Sequence, residues 1–240
     1  MSIHGSAINN RLRFGLKLVR YNLQIVFSGK FIWFLAAALA FYLFVTIMMV
    51  FNEPNVRLES IYSSLVLPGL LLMFYPTVFG IQHDADTRIL EMLFGVPDYR
   101  FKVWLFRLAV IFLFVFLLLL GFGALACILV EPIPVFSFGM HLMVTNIFLG
   151  TMAFWLSTVV RNGNGTAVIM IIVGLFITIL SQNMSLGYWD IFLNPFKMPS
   201  DLNQVVWAKI VFKNRIFLMV GSVVFILGGM LKLQLREKFI

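Results

Sequence analysis

An all-α integral membrane fold with six spans is predicted by three observations. Apolar residues make up 61% of the chain and charged ones only 12%, against about half and about a quarter in soluble domains. The apolar residues gather into six long runs, each near the roughly 20 residues that a helix needs to cross a hydrocarbon core. Mean hydropathy is +0.99, and the polar residues concentrate between the runs, so water is not the main solvent of this chain.

The elements follow in order along one transmembrane domain covering residues 1–240. Residues 9–29 carry Arg13, Lys17, Arg20 and Gln24 at spacings of four, three and four, one helical stripe. Leu12, Leu16, Val19, Leu23 and Val26 fall largely on other faces. This predicts an amphipathic helix in the membrane interface, with Arg13, Lys17 and Arg20 towards lipid phosphates. No short apolar core with a small-residue cleavage site precedes it, so no removable signal peptide is expected.

Spans are expected near 31–51, 61–82, 103–130, 139–160, 166–185 and 214–232. The third, as the longest, is expected to tilt or project from the bilayer. Pro68 and Pro76 should kink the second, since each removes a backbone donor and crowds the preceding turn. Between the second and third spans, residues 83–100 set Asp84 and Arg88 four apart, beside an apolar side of Ile89, Leu90 and Leu93. Between the fifth and sixth, residues 186–213 contain Asn194-Pro195-Phe196 and several aromatics, read as short broken external helices dipping back towards the membrane.

Orientation follows from Lys and Arg. With the N-terminus cytoplasmic, 13 lie inside and five (Arg57, Lys197, Lys209, Lys213 and Arg215) outside, so both termini are expected in the cytoplasm. Trp33, Trp104 and Trp155 then fall near inner ends and Trp189 and Trp207 near outer ends, as interfacial belts or as packed core residues. The formal net charge of +8 is spread beside apolar runs, which suits anionic lipid head groups and excludes nucleic acid as the partner.

Site chemistry is sparse. The phosphate-binding pattern Gly-x-x-x-x-Gly-Lys-[Ser/Thr] is missing, so no nucleotide site or bound cofactor is expected in the chain itself. The single Cys127 lies in an apolar run and reads as a small core residue. His141, alone near the start of a span, reads as interfacial or packed, since one imidazole cannot make a metal site. Ser63, Ser64, Ser181 and Ser185 have no assignable base and acid, so no catalytic residue is expected. Asp84, Asp86 and Glu91 admit a divalent ion, but their mixture with Arg88 reads as a protein-docking surface, and no metal is assigned. Carriers driven by ion gradients need buried carboxylates or basic relays, and the runs offer almost none.

This order of parts resembles the membrane subunit, or permease, of type-2 ABC exporters (the ABC-2 type). Members have an amphipathic helix, six spans with both ends cytoplasmic, a coupling helix after the second span and broken external helices before the sixth. Their coupling segment carries acids, then Gly-Thr-Leu-Glu-x-Leu-x-x-x-Pro, then bases. Here Asp84 and Asp86 match the acids, Leu90-Glu91-Met92-Leu93 and Pro97 the core, and Arg100 and Arg107 the bases, while Arg88-Ile89 stand where Gly-Thr is usual. Asn194-Pro195-Phe196 is similar to a segment before the last span of such permeases.

The resemblance implies an ATP-driven exporter in a bacterial cytoplasmic (inner) membrane. A separate ABC ATPase subunit would bind ATP and Mg and press on a coupling helix near 84–97, through Asp84, Asp86, Thr87, Arg88, Leu90, Glu91, Leu93 and Pro97. A second permease chain, identical or not, would complete the pathway. Ala36 and Ala40 form a small-x-x-x-small pair suited either to that dimer or to packing within one subunit. Apolar, aromatic spans suit amphipathic or lipid-linked cargo. The alternative expectation is a non-transporting membrane scaffold or accessory subunit; a lipid enzyme or channel would want polar groups converging at one depth.

Overall fold

The computed structural model of the protein describes residues 30–52, 56–86, 100–183 and 187–233. Its regular structure is helical among the described residues: α1 Phe31–Asn52, α2 Leu58–Asp86, α3 Phe106–Leu129, α4 Val135–Val160, α5 Gly163–Asn183 and α6 Gln204–Lys232. Six helices are long and apolar enough to cross a membrane, which makes the fold that of an all-α integral membrane protein. The expected interfacial helix over 9–29, with Arg13, Lys17 and Arg20, lies outside the described residues.

Hydrogen bonds fix which helix ends lie together. Asn194 reaches Glu59 and Ser63 in the first turns of α2. At the other end of α2, the Gln82 side chain accepts the Gly163 amide of the α4–α5 turn at 2.6 Å. The bundle therefore has a capped end, closed by residues 187–203, and a turn end, where α4 passes into α5. That turn is short because Arg161 takes the left-handed conformation (φ 58°) and donates its amide to Ser157. The Asn162 side chain then accepts the Gly165 amide and caps α5.

Burial divides the helices into two sets. The membrane-length window is 67% buried in α4 and 56% in α2, but 17% in α1 and α5 and 22% in α6. α4 is accordingly the hub, packing on α2, α3, α5 and α6, while α2 carries α1. The main core joins Tyr62, Leu65, Leu72 and Met73 of α2 to Ile111 and Leu119 of α3 and Phe138 of α4. On α6, Gly221 and Gly229 let aromatic rings of α4 rest on the helix backbone: a Cβ at either would come within 2.6 Å of Phe148 or Phe154. Without a hydrophobic force between helices in lipid, such close approach is how they adhere.

Several expectations need correction. The last helix begins at Gln204 instead of near 214, because Asn203 caps it by accepting the Val205 amide and nothing interrupts it until Leu233. Its 29 residues span about 43 Å at ~1.5 Å per residue, so its first turns rise past a hydrocarbon layer of about 30 Å. Lys209 and Lys213 are exposed on those turns and need not break the helix. The preceding segment is not a set of broken helices: its described part holds one 3₁₀ turn, Gly187–Trp189, then irregular chain.

The second and fourth helices also begin a few residues before their expected starts, at Leu58 and Val135. The third is entered through a π-helical turn, Arg100–Leu105, that no sequence signal announced. α2 runs continuously through Pro68 and Pro76; beside Pro76, the Thr77 hydroxyl donates to the Met73 carbonyl at 2.8 Å. Trp104 is a core residue, 2% exposed against Phe154, and not part of a belt.

Candidate functional site

Of the coupling residues proposed from sequence, Asp84 and Asp86 are placed, at the turn end. α2 extends one turn past Gln82, and its backbone carries Asp84 and Asp86 in that turn. Thr87, Arg88, Leu90, Glu91, Leu93 and Pro97 lie outside the described residues, and the chain resumes at Arg100 in the π-turn. Behind this exit the turn end is firmly packed, with Ile81, Trp104, Leu108, Phe154, Met230 and Leu233 in one apolar cluster. Arg107 is buried against it with its guanidinium 4.7 Å above the Trp104 ring, a cation–π contact that shelters a charge within the bundle.

The capped end holds a polar network that the sequence reading did not assemble. Residues 187–203 form a strap across the bundle, tied to four helices. From α6, the Asn214 amide donates to the carbonyls of Tyr188 and Asp190 at 3.0 and 2.7 Å. From α5, Ser181 donates to the Asp190 carboxylate at 2.8 Å, whose other oxygen accepts the Phe192 amide. From α4, Thr145 donates to the Ile191 carbonyl at 3.4 Å. To α2, Asn194 donates to the Glu59 carbonyl at 2.8 Å and the Ser63 hydroxyl at 3.1 Å.

Asn194-Pro195-Phe196 is the tightest part of the strap. The side-chain oxygen of Asn194 turns back to accept the Phe196 amide, and Trp207 donates its indole N–H to the Pro195 carbonyl at 2.9 Å. Phe196 then stacks on Phe138 at 4.1 Å and lies 5.5 Å from the Tyr62 ring and 5.9 Å from His141. His141 is thus a packed residue, as its solitary position suggested.

Arg215 is the cation of this network. It donates to the Thr145 hydroxyl and the Leu193 carbonyl, both at 3.4 Å. Neither of these partners is a carboxylate, so the charge is held by dipoles at the margin of the membrane. Asn214 and Arg215 follow Lys213 within a membrane-length helix; a polar run of that kind is the signal that could have found them.

Ala36 and Ala40 are both exposed on α1, so they do not serve packing within this subunit. The serines serve the backbone: Ser63 donates to Glu59 and Ser64 to Ile61. Cys127 closes the α3–α4 turn, its sulfur accepting the Ile133 amide and donating to the Ile133 carbonyl. Among the described residues, no three His, Cys, Asp or Glu side chains gather as a metal site. Comparison of the chain with family models, with curated proteins and with solved structures found no match.

Proposed function

We propose that this chain is the membrane-spanning permease subunit of an ATP-driven exporter of the type-2 ABC kind. The observation that carries the reading is the end of α2. Its last turn, with Asp84 and Asp86, runs past the membrane-length stretch and leads into the Leu90-Glu91-Met92-Leu93 and Pro97 run. A short segment there, between two packed spans, is suited to receive a push from outside the bundle. In that reading a separate ATPase subunit binds ATP and Mg and docks on Thr87, Arg88, Leu90, Glu91, Leu93 and Pro97 as well as the two acids. Hydrolysis supplies the differential binding that shifts the spans between two arrangements.

A second copy, or a related chain, completes the pathway; the exposed apolar faces of α1 and α5 and the exposed pair Ala36 and Ala40 support that surface. Cargo is amphipathic or lipid-linked, and the membrane is the bacterial inner membrane with both termini cytoplasmic, as the distribution of Lys and Arg favours.

Co-expression with candidate ATPases tests this. Replacing Asp84, Asp86, Arg88 and Glu91 by Ala should abolish co-purification of the ATPase and its stimulation by the membrane chain, while the chain itself still inserts. Intact assembly and unchanged transport-linked ATP hydrolysis would remove the docking role. A complex that assembles and hydrolyses ATP but moves nothing across reconstituted vesicles would leave the scaffold alternative.

A further inference from the structure

At the capped end, α1 and α2 part to leave a slot of about 420 Å³, within the range of roughly 300–1,000 Å³ usual for small-molecule sites. Its wall on α1 is an apolar ridge at four-residue steps: Met49, Val45 and Phe41. Its wall on α2 changes character with depth. Glu59, Ser60 and Ser63 line the opening, and Leu67 lies eight residues further along the same helix, about 12 Å deeper at ~1.5 Å per residue. Asn194 and Lys197 of the strap close the polar end.

Some of these polar groups are already spent. Asn194 and Ser63 satisfy each other and the Glu59 carbonyl. Three others are available. Lys197 is exposed and has no anionic partner among the described residues. The Ser60 hydroxyl makes no hydrogen bond among them, its backbone amide being engaged, to Arg57. The Glu59 carboxylate meets only the exposed Arg57, at a long 3.5 Å, a contact worth little in water. An ammonium, a hydroxyl and a carboxylate therefore face one opening whose depth is apolar.

We propose that this slot binds a zwitterionic phospholipid whose head group carries a primary ammonium. Lys197 and Ser60 hold the phosphate, Glu59 accepts from the ammonium, and an acyl chain runs down between Leu67 and the α1 ridge. A purely anionic head group leaves Glu59 facing like charge, and a quaternary ammonium has no N–H to donate to it. The site needs only a chain embedded in a bilayer, so it stands or falls apart from the ATPase reading.

The test uses the purified full chain in detergent, offered equal amounts of phosphatidylethanolamine, phosphatidylcholine and phosphatidylglycerol, with retained lipid counted by native mass spectrometry. The wild-type chain should keep phosphatidylethanolamine about fivefold over the other two, the ratio that one exposed charge contact supports. Glu59→Gln should erase the preference over phosphatidylglycerol while retention continues. Lys197→Ala should lower retention of all three, and Leu67→Trp, which fills the slot, should do the same with an unchanged thermal midpoint. Lys209→Ala removes a cation elsewhere at the same end and should change nothing. Equal retention of the three lipids by the wild-type chain, or equal losses in Lys197→Ala and Lys209→Ala, would mean lipid held only as a general annulus and would overturn the site.

Discussion

Asn214 and Arg215 are neighbours in sequence that hold the strap in different ways. Asn214 is fully buried and gives both amide hydrogens to strap carbonyls, whereas Arg215 bridges α4 and the strap through a hydroxyl and a carbonyl. Asn214→Ala removes the donor from the part-buried Tyr188 and Asp190 carbonyls, at about 1 kcal/mol for each hydrogen bond lost. The expected outcome is a lower thermal midpoint in detergent and faster protease cleavage between 187 and 203; unchanged cleavage would show that the strap is held elsewhere. Residue roles were legible only where a side chain acts locally. Asn194-Pro195-Phe196 stood out as a unit, and Asn194 does bond within it. Arg215 entered the sequence reading only as a charge on the outer side, because its partners Thr145 and Leu193 are 70 and 22 residues away, and the chain order says nothing of which spans adjoin.

For whole elements, the glycines of α6 decide how closely that helix meets the hub. Replacing Gly229 by Leu drives a side chain into the Phe154 ring, and overpacking of this kind costs about 1–3 kcal/mol. Gly174 on α5 has nothing within 4 Å of a built Cβ, so Gly174→Leu should leave the thermal midpoint unchanged or raised. Equal effects at the two positions would contradict the packing described for α4 and α6. The six spans themselves were readable, because a run of some 20 apolar residues has few other fates. Their ends were less so. The start of α6 was placed near 214, ten residues late, with Lys209 and Lys213 left outside the span, although Asn203 offered a capping signal just before Gln204. The π-turn before α3 left no trace in composition, since it arises from how Arg100–Leu105 enters the bundle.

On the scale of the molecule, topology can be tested with the chain's own economy of thiols. Cys127 is the sole cysteine, and Cys127→Ser keeps a group that accepts the Ile133 amide and donates to its carbonyl. In that background, a cysteine placed at Leu90 should react with a membrane-impermeant maleimide only from the cytoplasmic side, and one placed at Met198 only from the outside. The reverse pattern would invert the chain and remove the coupling role. Which spans adjoin was beyond the sequence, whereas their number was not: hydropathy registers lipid contact but not neighbours. α2 and α4 are the most buried spans, and their buried polar residues, Ser64 and Thr77 on α2 and Asn146, Thr151 and Ser157 on α4, read as ordinary interruptions of an apolar run. The strap has one mechanical corollary. Because it fastens α2, α4, α5 and α6 at a single extremity, those rods cannot spread there without breaking several bonds at once. The bundle resembles tongs pinned at both extremities: at the far one Gln82 grips the Gly163 amide while Ile81, Trp104, Phe154 and Met230 pack together, so any rearrangement of the rods must first undo one of the two fastenings.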